Sequence, residues 1–427
     1  MAGGKGTRIS SIASDIPKPM IKIGGKPILQ LEIESLKNQG YTDFLITISH
    51  LGQVITDYFG DGSKFGVSIE YYNEETPLGN AGALFQIRDK LEDDFLLING
   101  DILFEIDVNR FVKYHRKKGG LVTLFTHPNN HPYDSGLVIT DDRKCIVQWM
   151  NKEDERPEFY KNRVNAGIHI MSPRILDRKI DKEKIDLDRD LLKPLCGTGK
   201  MFAYDSSEYV KDMGTPERYE QVNEDYLSGK VERRSLSHKQ KAIFLDRDGT
   251  INRYVGFLTD ISNFELLPTV SEAIRKINSS DYLAIVITNQ PVIARGETSF
   301  EELENIFNKM KTLLGREGVY VDDLFFCPHH PDKGFPGERP EYKIDCSCRK
   351  PKTGMLEAAA EKYNISLEDS WMIGDMTQDV ECGRRGGLRT ILVKTGQGGA
   401  DGKYDVTPDY VCEDLGAAVD VILAARS

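Results

Sequence analysis

The sequence predicts an α/β protein made of two tandem Rossmann-like, three-layer domains. The chain has 427 residues, which is more than one ordinary domain holds. Short apolar runs alternate with helix-like stretches in both halves, as in α/β sheets. A polar, charged segment separates the two series. We therefore predict domains at 1–228 and 241–427, joined by a linker at 229–240.

The apolar runs give the strands of both domains. The first series lies at 44–49, 67–72, 95–100 and 121–125. Stretches with helical spacing, such as 30–40, lie between these runs and predict a mainly parallel sheet. The second series lies at 242–246, 283–289, 321–327, 370–375 and 389–393.

Composition and charge argue against nucleic-acid-binding, membrane-spanning and secreted classes of protein. The 56 basic and 67 acidic residues give a net charge of −11, which argues against nucleic acid or an anionic membrane as main partner. No apolar run approaches the ~18 residues that cross a bilayer, and MAGGKGTR at the N-terminus lacks the apolar segment of a secretory signal. Seven scattered cysteines do not form a disulfide framework. We expect a cytoplasmic enzyme.

A glycine-rich loop opens the chain and contains Gly3, Gly4, Gly6, Thr7 and Arg8. Its glycines let the backbone approach a ligand closely, and successive N–H groups can bind phosphate oxygens. Lys18 adds a further cation. Later segments are ETPLGNAGAL (75–84), NGD (99–101), VNAG (164–167) and KDMGTPERYE (211–220).

These motifs, in this order over residues 1 to about 228, resemble the nucleotide-sugar pyrophosphorylases. Those nucleotidyltransferases join a sugar 1-phosphate to a nucleoside triphosphate. The resemblance implies that Arg8 and Lys18 hold the triphosphate and that the turn at Gly79 packs against the nucleobase. It also implies that Lys152 lies at the sugar phosphate and Asn165 at the sugar.

The same resemblance implies that Asp101 and Asp212 hold Mg²⁺. Attack of one phosphate on another is opposed by charge repulsion, which a metal and nearby cations neutralise. Family members place a buried strand before the glycine loop, whereas here Met1 directly precedes it. We expect either a start further upstream or a first half that does not catalyse.

Paired carboxylates follow the first apolar run of the second half. Asp246 and Asp248 come directly after AIFL, and one such carboxylate beside a metal can attack phosphorus while the other moves protons. Three further groups follow in order: Thr288-Asn289, Arg349-Lys350 and Asp375 with Asp379. This ordered set resembles the haloacid dehalogenase superfamily of phosphatases.

That resemblance implies a role for each residue. Asp246 would become an aspartyl-phosphate, and Asp248 would protonate the leaving oxygen and then activate water. Asp246, the Asp248 carbonyl and Asp375 would hold Mg²⁺, with Asp379 in support. The phosphoryl and substrate contacts would come from Thr288, Asn289, Arg349 and Lys350. No insertion is long enough for a cap domain, so we expect a capless domain.

Three cysteines and a histidine predict a zinc site in this half. Cys327, His329, Cys346 and Cys348 supply a tetrahedral set with no open position, which is typical of structural Zn²⁺. His330 is the rival ligand. This loop, with CRKPKTGM beside it, resembles the D-glycero-D-manno-heptose 1,7-bisphosphate phosphatases, and the histidinol phosphatases share it.

The two resemblances together imply a bifunctional enzyme. The second half would remove the 7-phosphate of the heptose bisphosphate, and the first would transfer a nucleotide, with GTP as the expected donor, to the heptose 1-phosphate that remains. One alternative is a histidinol or other sugar phosphatase fused to a hexose 1-phosphate transferase. Another is a phosphatase with a non-catalytic nucleotide-sugar-binding module.

Overall fold

The computed structural model describes residues 16–49 and 51–425 and divides into two compact units. The first holds the described residues up to His127, with Val138–Met150 and Asn165–Ser237. The second holds Pro128–Leu137, Asn151–Val164 and the described residues from His238 onward. Residues 151–164 thus cluster with the second unit, although the sequence assigns them to the first domain. The domain boundaries themselves stay a prediction.

The first half of the chain contains both strands and helices, which alternate only in part. The strands are β1 (Lys22–Ile23), β2 (Lys26–Pro27), β3 (Asp43–Ile48), β4 (Ser68–Asn73), β5 (Phe95–Ile98), β6 (Ile102–Glu105), β7 (Val122–His127), β8 (Leu137–Thr140), β9 (Ile146–Met150), β10 (Val164–Met171), β11 (Met201–Asp205) and β12 (Tyr209–Asp212). The helices are α1 (Ile28–Asn38), α2 (Gly52–Phe59), α3 (Gly82–Gln86), α4 (Val108–Lys118), α5 (Pro216–Leu227) and α6 (Lys230–Arg233).

The sheets of the first half are mixed, so the prediction of a mainly parallel sheet is wrong here. The largest sheet has the order β11-β7-β10-β8-β9, with β5 also paired to β10. β7 and β11 are parallel, whereas β10 is antiparallel to both β5 and β8. β6 and β12 form another antiparallel pair. Parallel pairing needs a long crossover connection, and several of these strands follow one another without a helix between them.

The second half continues with the strands β13 (Lys241–Leu245), β14 (Tyr282–Asn289), β15 (Asp323–Cys327), β16 (Trp371–Gly374), β17 (Arg389–Val393) and β18 (Tyr410–Cys412). Its helices are α7 (Val270–Ser279), α8 (Phe300–Arg316), α9 (Gly354–Tyr363), α10 (Thr377–Arg385) and α11 (Leu415–Ala424). The strands form one sheet of order β15-β14-β13-β16-β17-β18, in which neighbours are parallel. The predicted α/β fold is confirmed.

The central strands of this sheet are buried on both faces. Residues 242–245 of β13 and 283–287 of β14 have no exposed surface, which explains why they are continuous apolar runs in the sequence. Apolar side chains of α7, α8 and α11 belong to the core that covers the sheet. Helix α8 begins at a capping box, in which Ser299 and Glu302 each accept a hydrogen bond from the other's backbone N–H.

The predicted linker at 229–240 is a packed segment. It contains α6, whose Val231 is buried, and the N–H of Leu236 donates to Oε1 of Glu208 at 2.9 Å. Across residues 16–49 and 51–425, no helix is both long and apolar enough to cross a membrane.

Candidate active sites

The candidate residues of the second unit lie at the carboxyl ends of three neighbouring strands. Asp246 follows β13, Thr288 and Asn289 end β14, and Asp375 follows β16. β13 lies between β14 and β16 and is parallel to both. Because parallel strands end at the same edge of a sheet, their following residues converge there. The structure therefore brings these predicted residues together.

A buried lysine joins two carboxylates at this edge. Nζ of Lys350 lies 2.8 Å from Oδ1 of Asp246 and 2.6 Å from Oδ1 of Asp379. Burial raises the pKa of the Asp246 carboxyl, and the lysine ammonium opposes this rise. Burial would lower the pKa of Lys350, but the two carboxylates raise it above its ordinary value. Lys350 is thus a fixed cation that could neutralise an incoming phosphate.

Asp375 completes a carboxylate cluster, defined here as Asp246, Asp375 and Asp379. One oxygen of each lies within 4.8 Å of the others. Oδ2 of Asp375 accepts from the N–H of Gln397 at 2.7 Å, whereas its Oδ1 is buried and has no hydrogen-bond partner in the described part of the chain. Gly249, at φ +86°, makes room, since a Cβ there would lie 2.3 Å from Oδ2 of Asp375. Three buried carboxylates with an unpartnered oxygen fit a hard divalent cation such as Mg²⁺.

Asp248 is held by three donors that sequence reasoning did not assign. Nη2 of Arg247 lies 2.8 and 2.6 Å from its two oxygens. Nε2 of Gln290 and Nδ2 of Asn252 donate to it at 3.0 and 3.1 Å. Arg247 is fully buried, so removing its carboxylate partner would leave an uncompensated charge in the interior. An arginine between two acids at the end of a buried strand is the signal that could have indicated this arrangement.

The side chains of Thr288, Asn289 and Arg349 all form hydrogen bonds with other groups of the protein. Oγ1 of Thr288 accepts from a neighbouring glutamine at 2.9 Å. Asn289 exchanges two hydrogen bonds with the backbone of Lys350, at 3.0 and 3.1 Å. Nη1 of Arg349 donates to the carbonyl of His329 at 3.1 Å. Asn289 and Arg349 therefore position the segment that carries Lys350, and phosphate binding by these three residues stays a prediction.

The predicted zinc ligands form a cysteine cluster, defined here as Cys327, His329, Cys346 and Cys348. The three sulfurs lie 3.2–3.5 Å apart, and Nδ1 of His329 lies 3.4 Å from Sγ of Cys348. A tetrahedral zinc with sulfur at about 2.3 Å spaces its sulfurs by about 3.8 Å, so the cluster needs only a small expansion. Nδ1 of the rival His330 instead accepts from the N–H of Asp332 at 3.2 Å.

In the first unit, Asp101 and Asp212 lie beside one another. Asp212 pairs with Ile102 across β12 and β6, which places it next to Asp101. Nζ of Lys18 lies 2.9 Å from Oδ2 of Asp101. Arg218, which sequence reasoning missed, donates from Nη1 to both oxygens of Asp212 at 3.0 and 3.1 Å. This end of the β6–β12 pair thus holds two carboxylates, each paired with a basic side chain.

The remaining candidates of the first domain are dispersed. Gly79 has φ +85°, and a Cβ there would lie 2.4 Å from the carbonyl oxygen of Ile185, so its turn is closely packed. Asn165 lies on β10 and is half-buried. Lys152 clusters with the second unit rather than with Asp101, and its Nζ lies 3.8 Å from Oε1 of Glu153. Residues that lie outside the described part of the chain are Gly3, Gly4, Gly6, Thr7 and Arg8.

Two family models match the chain. The model described as nucleotidyl transferase matches residues 1–229, which is more than half of the chain. The model described as HAD-hydrolase-like matches residues 347–418.

Relatives of both kinds are found. A UTP–glucose-1-phosphate uridylyltransferase from Synechocystis is 33% identical over 246 residues, covering 54% of this chain and 63% of the relative. A mannose-1-phosphate guanylyltransferase from Mycobacterium tuberculosis is 31% identical and covers 54% of this chain and 64% of the relative. The chain thus spans less than two thirds of these transferases. A D-glycero-alpha-D-manno-heptose-1,7-bisphosphate 7-phosphatase from Photorhabdus laumondii is 42% identical over 160 residues, covering 37% of this chain and 85% of the relative.

Proposed function

The chain belongs to the nucleotidyl transferase family through residues 1–229 and, through its second half, to the family of the heptose-bisphosphate phosphatases, and on that premise we propose that it catalyses two consecutive steps. The second unit hydrolyses the 7-phosphate of D-glycero-D-manno-heptose 1,7-bisphosphate. The first joins the resulting heptose 1-phosphate to a nucleotide, with release of pyrophosphate. The product of one site is the substrate of the other.

The observation that carries the proposal is the contact of Lys350 with Asp246 inside the carboxylate cluster. An oxygen of Asp246 attacks the phosphorus, and the bond from phosphorus to the sugar oxygen breaks. Asp248 gives its proton to that oxygen. Water then attacks the aspartyl-phosphate, Asp248 takes a proton from it, and phosphate leaves with Asp246 restored.

Electrostatics at the phosphatase site suit this sequence of steps. Lys350 provides a positive charge 2.8 Å from the nucleophile and lowers the cost of bringing an anionic phosphate to a carboxylate. Mg²⁺ held by Asp246, Asp375 and the Asp248 carbonyl would neutralise further charge on the phosphoryl group. Arg247, Gln290 and Asn252 donate hydrogen bonds to Asp248 and so orient the carboxyl group that exchanges protons with the leaving oxygen and with water.

The transferase step needs no nucleophile from the protein. An oxygen of heptose 1-phosphate attacks the α-phosphorus of the triphosphate, and the bond to pyrophosphate breaks. Lys18 and Arg8 hold the triphosphate, and Asp101 and Asp212 would hold Mg²⁺, which offsets the repulsion between the two phosphates. We propose GTP as the donor. The guanylyltransferase relative supports GTP, whereas the Synechocystis relative is named for UTP.

We further propose that the cysteine cluster binds a structural Zn²⁺. Four protein ligands leave no open position, and the metal would fix the loop at 328–345 next to Arg349 and Lys350. Sugar phosphates and GTP are cytoplasmic metabolites, so we place the protein in the cytoplasm.

The test is a mass-spectrometric product assay with purified protein, Mg²⁺, heptose 1,7-bisphosphate and each of the four nucleoside triphosphates. We expect GDP-heptose with GTP alone, together with phosphate and pyrophosphate. A nucleotide sugar formed with another triphosphate would show that the donor is that triphosphate and not GTP. Heptose 1-phosphate that accumulates while GTP binds without turnover would show a non-catalytic first unit. Hydrolysis of histidinol phosphate in preference to the heptose substrate would contradict the phosphatase assignment.

A further inference from the structure

Strand β10 contains a kink that brings the side chains of Asn165 and His169, four residues apart, into contact. In a regular strand, residues i and i+4 are separated by about 13 Å, yet Nε2 of His169 lies 3.0 Å from Oδ1 of Asn165. Gly167 lies between them at φ +75°. A Cβ on this glycine would lie 2.8 Å from Nδ2 of Asn99 and 2.6 Å from Cδ1 of Ile102, so the kink requires glycine. The chain turns at Gly167, and His169 reaches Asn165.

The hydrogen bonds fix the orientation of both side chains. The backbone N–H of Gly167 donates to Oδ1 of Asn165 at 3.1 Å. A backbone N–H can only donate, so the atom that faces it must be the amide oxygen. His169 therefore contributes a protonated Nε2, which donates to the same oxygen. Both acceptor positions of the Asn165 oxygen are then filled.

The other nitrogen of the imidazole supports this tautomer. Nδ1 of His169 is buried and has no hydrogen-bond partner among the described residues, so an unprotonated Nδ1 costs less here than a protonated one would. Burial also lowers the pKa of His169 to about 3, which keeps the ring neutral.

Only the donor end of the Asn165 amide remains available. Asn165 is the residue of β10 that is not buried, and no described residue accepts a hydrogen bond from its Nδ2. The kink also lies near Asp101, the candidate Mg²⁺ ligand of this unit. The N–H of Asn99, two residues before Asp101, donates to the carbonyl of Gly167. An NH₂ group on this half-buried side chain can bind a hydroxyl or phosphate oxygen.

We propose that His169 is a positioning residue, which turns the Asn165 amide so that its NH₂ group donates to the sugar 1-phosphate in the first unit. The proposal rests on the transferase function proposed above. A hydrogen-bond donor at position 169 is required, whereas the imidazole never contacts substrate.

The experiment compares His169→Leu, which removes the donor, with His169→Gln, whose side-chain amide can restore it. We expect the leucine variant to raise the KM for heptose 1-phosphate about tenfold, the effect of one lost hydrogen bond. The KM for GTP and kcat should stay within about twofold, and His169→Gln should recover most of the loss. Asn165→Ala should raise the same KM, and combining it with His169→Leu should add nothing.

Several results would overturn the proposal. Equal effects on both KM values, no effect on either, or additive effects in the double variant would each show that His169 does not act through Asn165. Nitrogen chemical shifts of labelled wild-type protein provide a test that needs no variant to fold. A neutral ring protonated on Nε2 at pH 7 agrees with the proposal, and protonation on Nδ1 contradicts it.

The positioning role of His169 can be tested even if the proposed transferase function is wrong. If the wild-type protein makes no nucleotide sugar, calorimetric binding of heptose 1-phosphate replaces KM. A tenfold loss of affinity in His169→Leu with recovery in His169→Gln would then still support the positioning role, and unchanged affinity would contradict it.

Discussion

The two candidate sites are assembled in different ways. In the second unit, the ends of three adjacent parallel strands bring Asp246, Thr288 and Asp375 to one edge. In the first unit, Asp101 and Asp212 meet through an antiparallel pair, and Asn165 is turned by a kink within its strand. A parallel sheet gathers strand-end residues by its topology alone, whereas a mixed sheet does so only through particular registers and bends.

This difference affects how independent the two sites are. All groups of the carboxylate cluster and Lys350 belong to the second unit, and Asp101, Asp212 and Lys18 belong to the first. No described residue of either group takes its partner from the other group. Each chemistry should therefore be removable without the other.

The largest expected effect is a separation of the two activities. Asp246→Asn removes the proposed nucleophile and should lower phosphatase kcat by about 10³-fold or more, with transferase activity within about twofold. Asp101→Asn should lower transferase kcat by about 10²-fold or more, because it removes a proposed Mg²⁺ ligand, and spare the phosphatase. Each activity is measured alone, with heptose 1,7-bisphosphate in one assay and with heptose 1-phosphate and GTP in the other.

Exposed aspartates supply matched controls for this separation. Asp405→Asn in the second unit and Asp89→Asn in the first change the same chemical group at the surface and should leave both activities unchanged. A single active-site substitution that abolishes both activities would show that the sites depend on each other.

The comparison also explains what the sequence could predict. The α/β fold follows from the alternation of apolar runs with helical stretches. Asp246 and Asp375 each come directly after such a run, but their grouping with Asp379 followed from the resemblance to the haloacid dehalogenase phosphatases. Sequence reasoning missed the strands β8 to β12. β8, β9, β11 and β12 are only four or five residues long and partly exposed, and the buried β10 has its apolar run interrupted by Asn165, Gly167 and His169. The contact of His169 with Asn165 depends on burial and on a positive φ at Gly167, which no spacing rule shows.

The cysteine cluster provides a second test, which concerns the second unit alone. His329→Ala should abolish stoichiometric Zn²⁺ binding and lower the Tm of the unit by roughly 5–10 °C, because a metal that binds only the folded state stabilises it by about 3 kcal/mol at about 100 times its Kd. His330→Ala is the matched control and should retain one zinc per chain. Metal analysis and calorimetry measure both quantities. Zinc loss in His330→Ala but not in His329→Ala would reverse the ligand assignment.

The last expected effect concerns a buried carboxyl in the first unit. Glu208 accepts hydrogen bonds from the N–H groups of Asp107 and Leu236 at 2.6 and 2.9 Å, and from Ser206 at 2.9 Å. Burial nevertheless raises its pKa to about 7, above the value of the unfolded chain. The folded state then binds the proton more tightly than the unfolded state does. The free energy of unfolding should be highest below about pH 4.5 and should fall by roughly 3 kcal/mol as the pH rises through 7.

The positions of the two tryptophans allow this change in the free energy of unfolding to be measured for the first unit alone. The chain has two tryptophans, Trp149 in the first unit and Trp371 in the second. In a Trp371→Phe background, fluorescence during urea unfolding therefore reports the first unit. Glu208→Gln cannot ionise, so its free energy of unfolding should change less between pH 5 and pH 8 than that of the Glu208 protein. Parallel pH profiles would show that Glu208 titrates alike in the folded and unfolded states, and that burial in the first unit leaves this carboxyl unperturbed.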